Sequence, residues 1–119
     1  MSNVLIIEDD PDFSMSLELV LGLRDLTAVR ATSAEEALLV LEGQNEEIGL
    51  AFMDIKLPGM DGIECLRNIH SRWPDIPCVI MTGFRDRDRL ERARSAGAAE
   101  ILLKPFAMEQ FLTLVKKYI

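Results

Sequence analysis

Apolar residues in this chain gather into five short runs: VLII (4–7), LTAVRA (26–31), IGLAFM (48–53), CVIM (78–81) and ILL (101–103). Four of the runs are continuous rather than alternating, the pattern of parallel strands covered on both faces. The second is interrupted by Thr27 and Arg30, as an edge strand can be.

Between the runs the apolar spacing changes to that of helices. Phe13, Leu17, Val20 and Leu21 share one face of a first helix, and Ala34, Ala37, Leu38 and Leu41 one face of a second. Ile63, Leu66 and Ile69 mark a third, and Met108, Phe111, Leu112 and Val115 a fifth. The fourth segment, RDRDRLERARSAG, offers only Leu90, Ala93 and Ala96 before Gly97, which predicts a weakly anchored helix. Its charges suit a solvated face first, with a docking surface as the alternative. Asp10-Pro11 reads as N-cap and first helical position, Ser33 with Glu36 as a capping box, and Asp61 as the cap of the third helix. A turn is expected at Pro58-Gly59.

Strand and helix therefore alternate five times with no linker or repeat, which predicts one domain over residues 1–119. Its expected fold is α/β, a (βα)5 doubly wound parallel sheet with helices on both faces and flavodoxin-like strand order 2-1-3-4-5.

Charge narrows the function. Twenty acids against 13 bases give a net charge of −7, which argues against direct nucleic-acid or anionic-membrane binding and for cations and proteins as partners. Cys65 and Cys78 sit in apolar surroundings, too few for a disulfide framework or a zinc site, and read as reduced core thiols. No stretch approaches the roughly 20 apolar residues of a membrane span, and MSNVLIIEDD lacks the features of a signal peptide, so a cytoplasmic location is expected.

In a parallel sheet all the strand ends share one rim. Glu8 and Asp9 end run 1, Asp54 run 3, Thr82 run 4 and Lys104 run 5. Carboxylates at about 4 Å repel by on the order of a few kcal/mol, so a cation belongs among them. A hard divalent ion such as Mg²⁺ fits an all-oxygen donor set. With Lys104 and Thr82 opposite, the matching chemistry is phosphoryl transfer, with Asp54 as nucleophile and Glu8 and Asp9 holding the ion. Asp10 already serves as the helix cap, which leaves Glu8 and Asp9 without a structural role. His70 reads as an exposed polar residue.

LIIEDD, MDIKLPGMDG, MTG and LLKPF, in this order and spacing, resemble the receiver domains of two-component response regulators over essentially the whole chain. The resemblance implies phosphoryl transfer onto Asp54 from a sensor histidine kinase or a small phosphodonor, with Mg²⁺ bound. It implies that Asp9 and Asp54 ligate the ion directly, Glu8 through water, and Lys56 through its carbonyl. Lys104 would pair with the phosphoryl group, Thr82 would move toward it, and Lys104-Pro105 would be cis. The surface of the fourth helix, fifth strand and fifth helix would address a fused or separate output domain, or a second copy after phosphorylation. Ile101 stands where the family commonly has a switching aromatic. Lys56 and Phe84 hold positions that influence hydrolysis of the acyl phosphate, Phe84 by hindering water. A haloacid-dehalogenase-like phosphatase would want an acid at position 56, which is lysine, and flavin binding would be opposed by the acidic EDDPD. A receiver-like module acting only by protein binding is the remaining alternative.

Overall fold

The structure, a computed structural model, describes residues 2–57 and 59–119; Pro58 of the expected turn lies outside the described residues. Five strands, β1 (Asn3–Ile7), β2 (Ala28–Ala31), β3 (Ile48–Asp54), β4 (Cys78–Thr82) and β5 (Glu100–Leu103), form one parallel sheet in the order β2-β1-β3-β4-β5. Helices α1 (Pro11–Gly22), α2 (Ala34–Gln44), α3 (Gly62–Arg72), α4 (Arg87–Ser95) and α5 (Met108–Tyr118) make the connections. Both the doubly wound fold and the strand order agree with the expectation. β2 is the expected edge strand but shorter than its run, because Leu26 and Thr27 precede the regular ladder. A 3-10 turn at Asn45–Glu47 leads into β3 without any signal in the apolar pattern.

The continuous runs are explained by two cores. Val4, Ile6, Leu50, Phe52, Val79 and Met81 face Leu17 and Leu21 of α1 and Phe111 and Val115 of α5. Their alternates Leu5, Ile7, Ala51, Met53, Cys78 and Ile80 face α2, α3 and α4. A strand buried on both sides has no position where a polar side chain is tolerated, so alternation vanishes. Each fully buried Leu or Ile contributes about 1.5–3 kcal/mol of transfer free energy. Cys65 and Cys78 lie in the second core, where burial pushes their thiols up to about 11 and about 12.

Helix ends follow the predicted caps. Asp10 accepts from the Asp12 and Phe13 N–H groups, with Pro11 opening α1, and Asp61 accepts from the Ile63 N–H. Ser33 accepts from the Glu36 N–H, but the box closes differently from the expectation: Glu36 reaches past Ser33 to the Thr32 N–H and hydroxyl. Gly62 opens α3 hard against the β3–α3 turn, where a Cβ would stand 2.3 Å from the Ile55 carbonyl oxygen. α4 is the weakly held helix its sequence predicts, with Ala93 its one buried residue.

Candidate functional site

Register assembles the rim. Ile7 pairs with Met53, so the next residues, Glu8 and Asp54, leave the sheet side by side. Asp54 pairs with Met81 and Thr82 with Leu103, which sets Thr82 and Lys104 slightly further out on the next two strands. Lys104 thus starts two strands from Asp54, about 10 Å at ordinary spacing. Its long stem carries Nζ back over the end of β4, to 3.1 Å from Asp54 Oδ2 and 3.0 Å from Glu8 Oε1. The Lys104-Pro105 bond is cis.

Asp54 is oriented from both sides. Its Oδ1 accepts the Lys56 N–H at 3.1 Å while Oδ2 faces Lys104, and 14% of its side chain remains exposed. Asp9 completes the cluster: one oxygen each from Glu8, Asp9 and Asp54 lie within 4.8 Å of one another. Three carboxylates against a single ammonium leave negative charge in excess, and every donor is a hard oxygen. That set could hold a divalent cation, and Mg²⁺ fits it.

Glu8 departs from expectation, because it does carry structural bonds. Its Oε2 accepts the Asp10 N–H at 3.1 Å, Oε1 accepts from Lys104, and the residue is 2% exposed. Burial raises its carboxyl above the usual range, against the lowering effect of the Lys104 and Asp10 bonds. Burial alone would pull the Lys104 ammonium down, but its bonds to Glu8 and Asp54 outweigh this and the net shift is upward. The lysine is held as a cation.

Thr82 is buried at the same rim, its hydroxyl accepting the Phe84 N–H at 3.0 Å and its carbonyl accepting the Lys104 N–H at 2.8 Å. The structure therefore gathers Glu8, Asp9, Asp54 and Lys104 directly, flanked by Thr82 at the end of β4 and by Lys56 on the loop after β3. Asp61 is spent on its cap, and exposed His70 lies against Gly97. Ile101 is half-buried and packs on the core facing α4.

Two contributors escape a reading of the sequence. Phe13 lies with its ring 4.6 Å from Lys104 Nζ and meets Phe106 edge-on, so the ammonium has an aromatic wall on the α1 side. Glu35, at the start of α2, accepts the Met60 N–H at 3.2 Å and packs on Gly59, whose φ of 80° suits glycine. Only a fold places Glu35 beside a loop 25 residues away. Phe13 carries a signal, as the inward residue of a helix that begins at the acidic rim.

A family model described as the response regulator receiver domain matches residues 4–116. The response regulator protein FleR of Pseudomonas aeruginosa is 39% identical over 119 residues, an alignment that covers 98% of this chain and 24% of FleR. The DNA-binding transcriptional regulator NtrC of Salmonella typhimurium is 34% identical over 116 residues, with 98% and 24% covered. The chain thus spans about a quarter of the length of these relatives. Among solved structures, a CheY-like receiver domain protein from Methanospirillum hungatei superposes with a TM-score of 0.91 at 30% identity, covering 98% of this chain and 92% of that one. A two-component response regulator from Clostridium difficile gives 0.93 at 25% identity, with 99% and 95% covered. Matched from the first strand to the last helix, the chain belongs to the response regulator receiver domain family.

Proposed function

We propose that residues 1–119 act as one phosphorylation-switched receiver unit, with Asp54 as acceptor and a sensor histidine kinase or a small acyl phosphate as donor. The supporting observation is the placement of Asp54: a partly exposed carboxylate at the end of a central strand, fixed by Lys56 and Lys104 within an oxygen cluster fit for a metal. An Asp54 oxygen attacks phosphorus, the bond from phosphorus to the donor nitrogen or oxygen breaks, and an acyl phosphate forms. Lys104 turns from its carboxylate partners to an oxygen of the transferred group, and Thr82 offers its hydroxyl from the β4 side. Asp9 and Asp54 would hold Mg²⁺ with the Lys56 carbonyl, and Glu8 through water; the ion supplies charge neutralisation for the phosphoryl oxygens. Water later cleaves the acyl phosphate, so the chain is a substrate with built-in chemistry rather than a turnover enzyme.

The output is carried by the face of α4, β5 and α5, read by an attached or separate effector domain or by a second copy. DNA binding, named for the NtrC relative, would belong to such an effector, since an acidic domain repels phosphates. We place the chain in the cytoplasm; among the described residues no helix is long and apolar enough to cross a membrane.

Incubation with Mg²⁺ and acetyl phosphate, read by intact mass, is expected to add one phosphoryl group to the native chain and none to Asp54→Ala. An unmodified native chain would instead favour a module that works by protein binding alone. Steady hydrolysis of many phosphomonoesters would favour a phosphatase, against which Lys56 already argues.

A further inference from the structure

The two loops that flank Asp54 on the β4 side meet at one aromatic ring. Phe84 follows Thr82, and its backbone is tied to that residue's hydroxyl. Lys56, whose N–H holds Asp54 Oδ1, places its ammonium 5.4 Å from the centre of the Phe84 ring. A third residue joins them from another element: the Arg89 guanidinium lies 4.0 Å from the same centre. Arg89 is itself fixed at its base. Its N–H donates to the capping carboxylate of Asp86 at 3.2 Å, and its Nε lies 3.7 Å from the other oxygen of that group. Lys56, Phe84 and Arg89 line a common cavity of about 250 Å³ that also reaches Arg92 and Asp61.

Phe84 is only half-buried on its loop, and such a ring has no reason to hold one position unless something packs on its open side. The guanidinium supplies the packing, because a planar cation over an aromatic face gains both electrostatic attraction and contact area. Lysine at the same place would supply the first and little of the second.

We propose that Arg89 is the positioning residue for Phe84: stacked from α4, it keeps the ring beside Lys56 and so shuts the β4 flank of Asp54 to water. The inference rests on the reading of Asp54 as phosphoryl acceptor. The step it controls is hydrolysis, in which a water oxygen attacks phosphorus and the bond to the Asp54 carboxylate oxygen breaks. The carboxylate is regenerated, inorganic phosphate leaves, and the water protons pass to phosphate and solvent. Arg89 touches none of these atoms. Its effect passes through the ring, and it ties the lifetime of the modification to the seating of α4, the helix with least buried apolar surface to hold it. A protein that binds α4 and takes Arg89 as a partner would then shorten that lifetime.

The test loads the chain with acetyl phosphate and Mg²⁺, removes the donor by rapid desalting, and follows loss of the adduct by intact mass. Arg89→Ala is expected to lose the phosphoryl group about 2- to 5-fold faster than the native chain, the range that one cation–π contact supports. Arg89→Lys is expected to fall between the two. Phe84→Ala with Arg89→Ala should be no faster than Phe84→Ala alone, since Arg89 has nothing left to position. Arg92→Ala, which changes the same cavity without touching the ring, should match the native chain, and amide exchange of α4 identifies any variant whose helix has melted. A normal adduct lost at the native rate in Arg89→Ala with α4 intact overturns the proposal, as do additive effects in the double variant. A native chain that takes no phosphoryl group at all would instead overturn the reading of Asp54 itself.

Discussion

Glu8 shows how a single carboxylate can be pulled in two directions. Buried to 2% exposure, it is costly to ionise, and the fold compensates with one donor for each of its oxygens. Asp9 is exposed and adds its charge to the same cluster with no such ties, so its electrostatic effect on the metal-free chain is mainly repulsive. Asp9→Asn is therefore expected to stabilise the chain in metal-free buffer by about 1 kcal/mol, measured by urea unfolding. The same change should remove most of the rise in melting temperature that Mg²⁺ gives the native chain. If Asp9→Asn were destabilising without metal, the acids would not be in electrostatic conflict. This cluster is legible because strand ends in a parallel sheet share a rim whatever the details of packing. The second oxygen partner of Glu8 is not, since an Asp10 that already caps α1 gives no hint that its own N–H needs an acceptor.

Among the helices, legibility follows apolar content. α1, α2, α3 and α5 each pack the stripe their spacing predicts against a core, wholly or partly buried, and caps at Asp10, Ser33 and Asp61 stand where side-chain chemistry requires them. The deviation at Glu36 leaves no trace in the sequence, because its Thr32 partner depends on how the chain enters the helix from β2. α4 is readable for what it lacks. A helix seated on little more than Ala93 and Ala96, with Leu90 half-buried, opens at low free energy. Its amides from Arg87 to Ser95 are expected to exchange roughly tenfold or more faster than those in the middle of α1. Binding of beryllium fluoride with Mg²⁺, a phosphoryl analogue, should alter protection over residues 85–98. Unchanged exchange there would remove α4 from the output face.

Across the whole molecule, the two cores make the sheet a rigid partition, and the phosphoryl chemistry proposed for one rim lies far from the ties at the other. The most developed of these joins the start of β5 to the last turn of α5. Glu100 Oε2 accepts from Lys117 at 2.6 Å and from the Tyr118 hydroxyl at 2.7 Å, bonds that hold its carboxyl below the usual range. A carboxyl lowered in the folded chain stabilises it above the ordinary value of 4.5 and stops doing so as pH falls through the lower folded value. Glu100→Gln is thus expected to melt roughly 2–4 °C below the native chain at pH 7, with the gap closing as the buffer is taken below pH 4.5. A gap that stayed constant with pH would mean the carboxylate charge contributes nothing. The fivefold alternation of strand and helix is readable from the runs alone, whereas this tie needs coordinates, because a glutamate at a strand start and a tyrosine at a helix end have nothing in common along the chain. Tyr118 is also the one tyrosine in the sequence, and Trp73, the one tryptophan, stands at the end of α3 under the guanidinium of Arg72. Ultraviolet difference spectra of the unlabelled chain can accordingly follow a single phenol, whose ionisation is raised by its bond to Glu100, as an optical gauge of whether α5 is seated on β5.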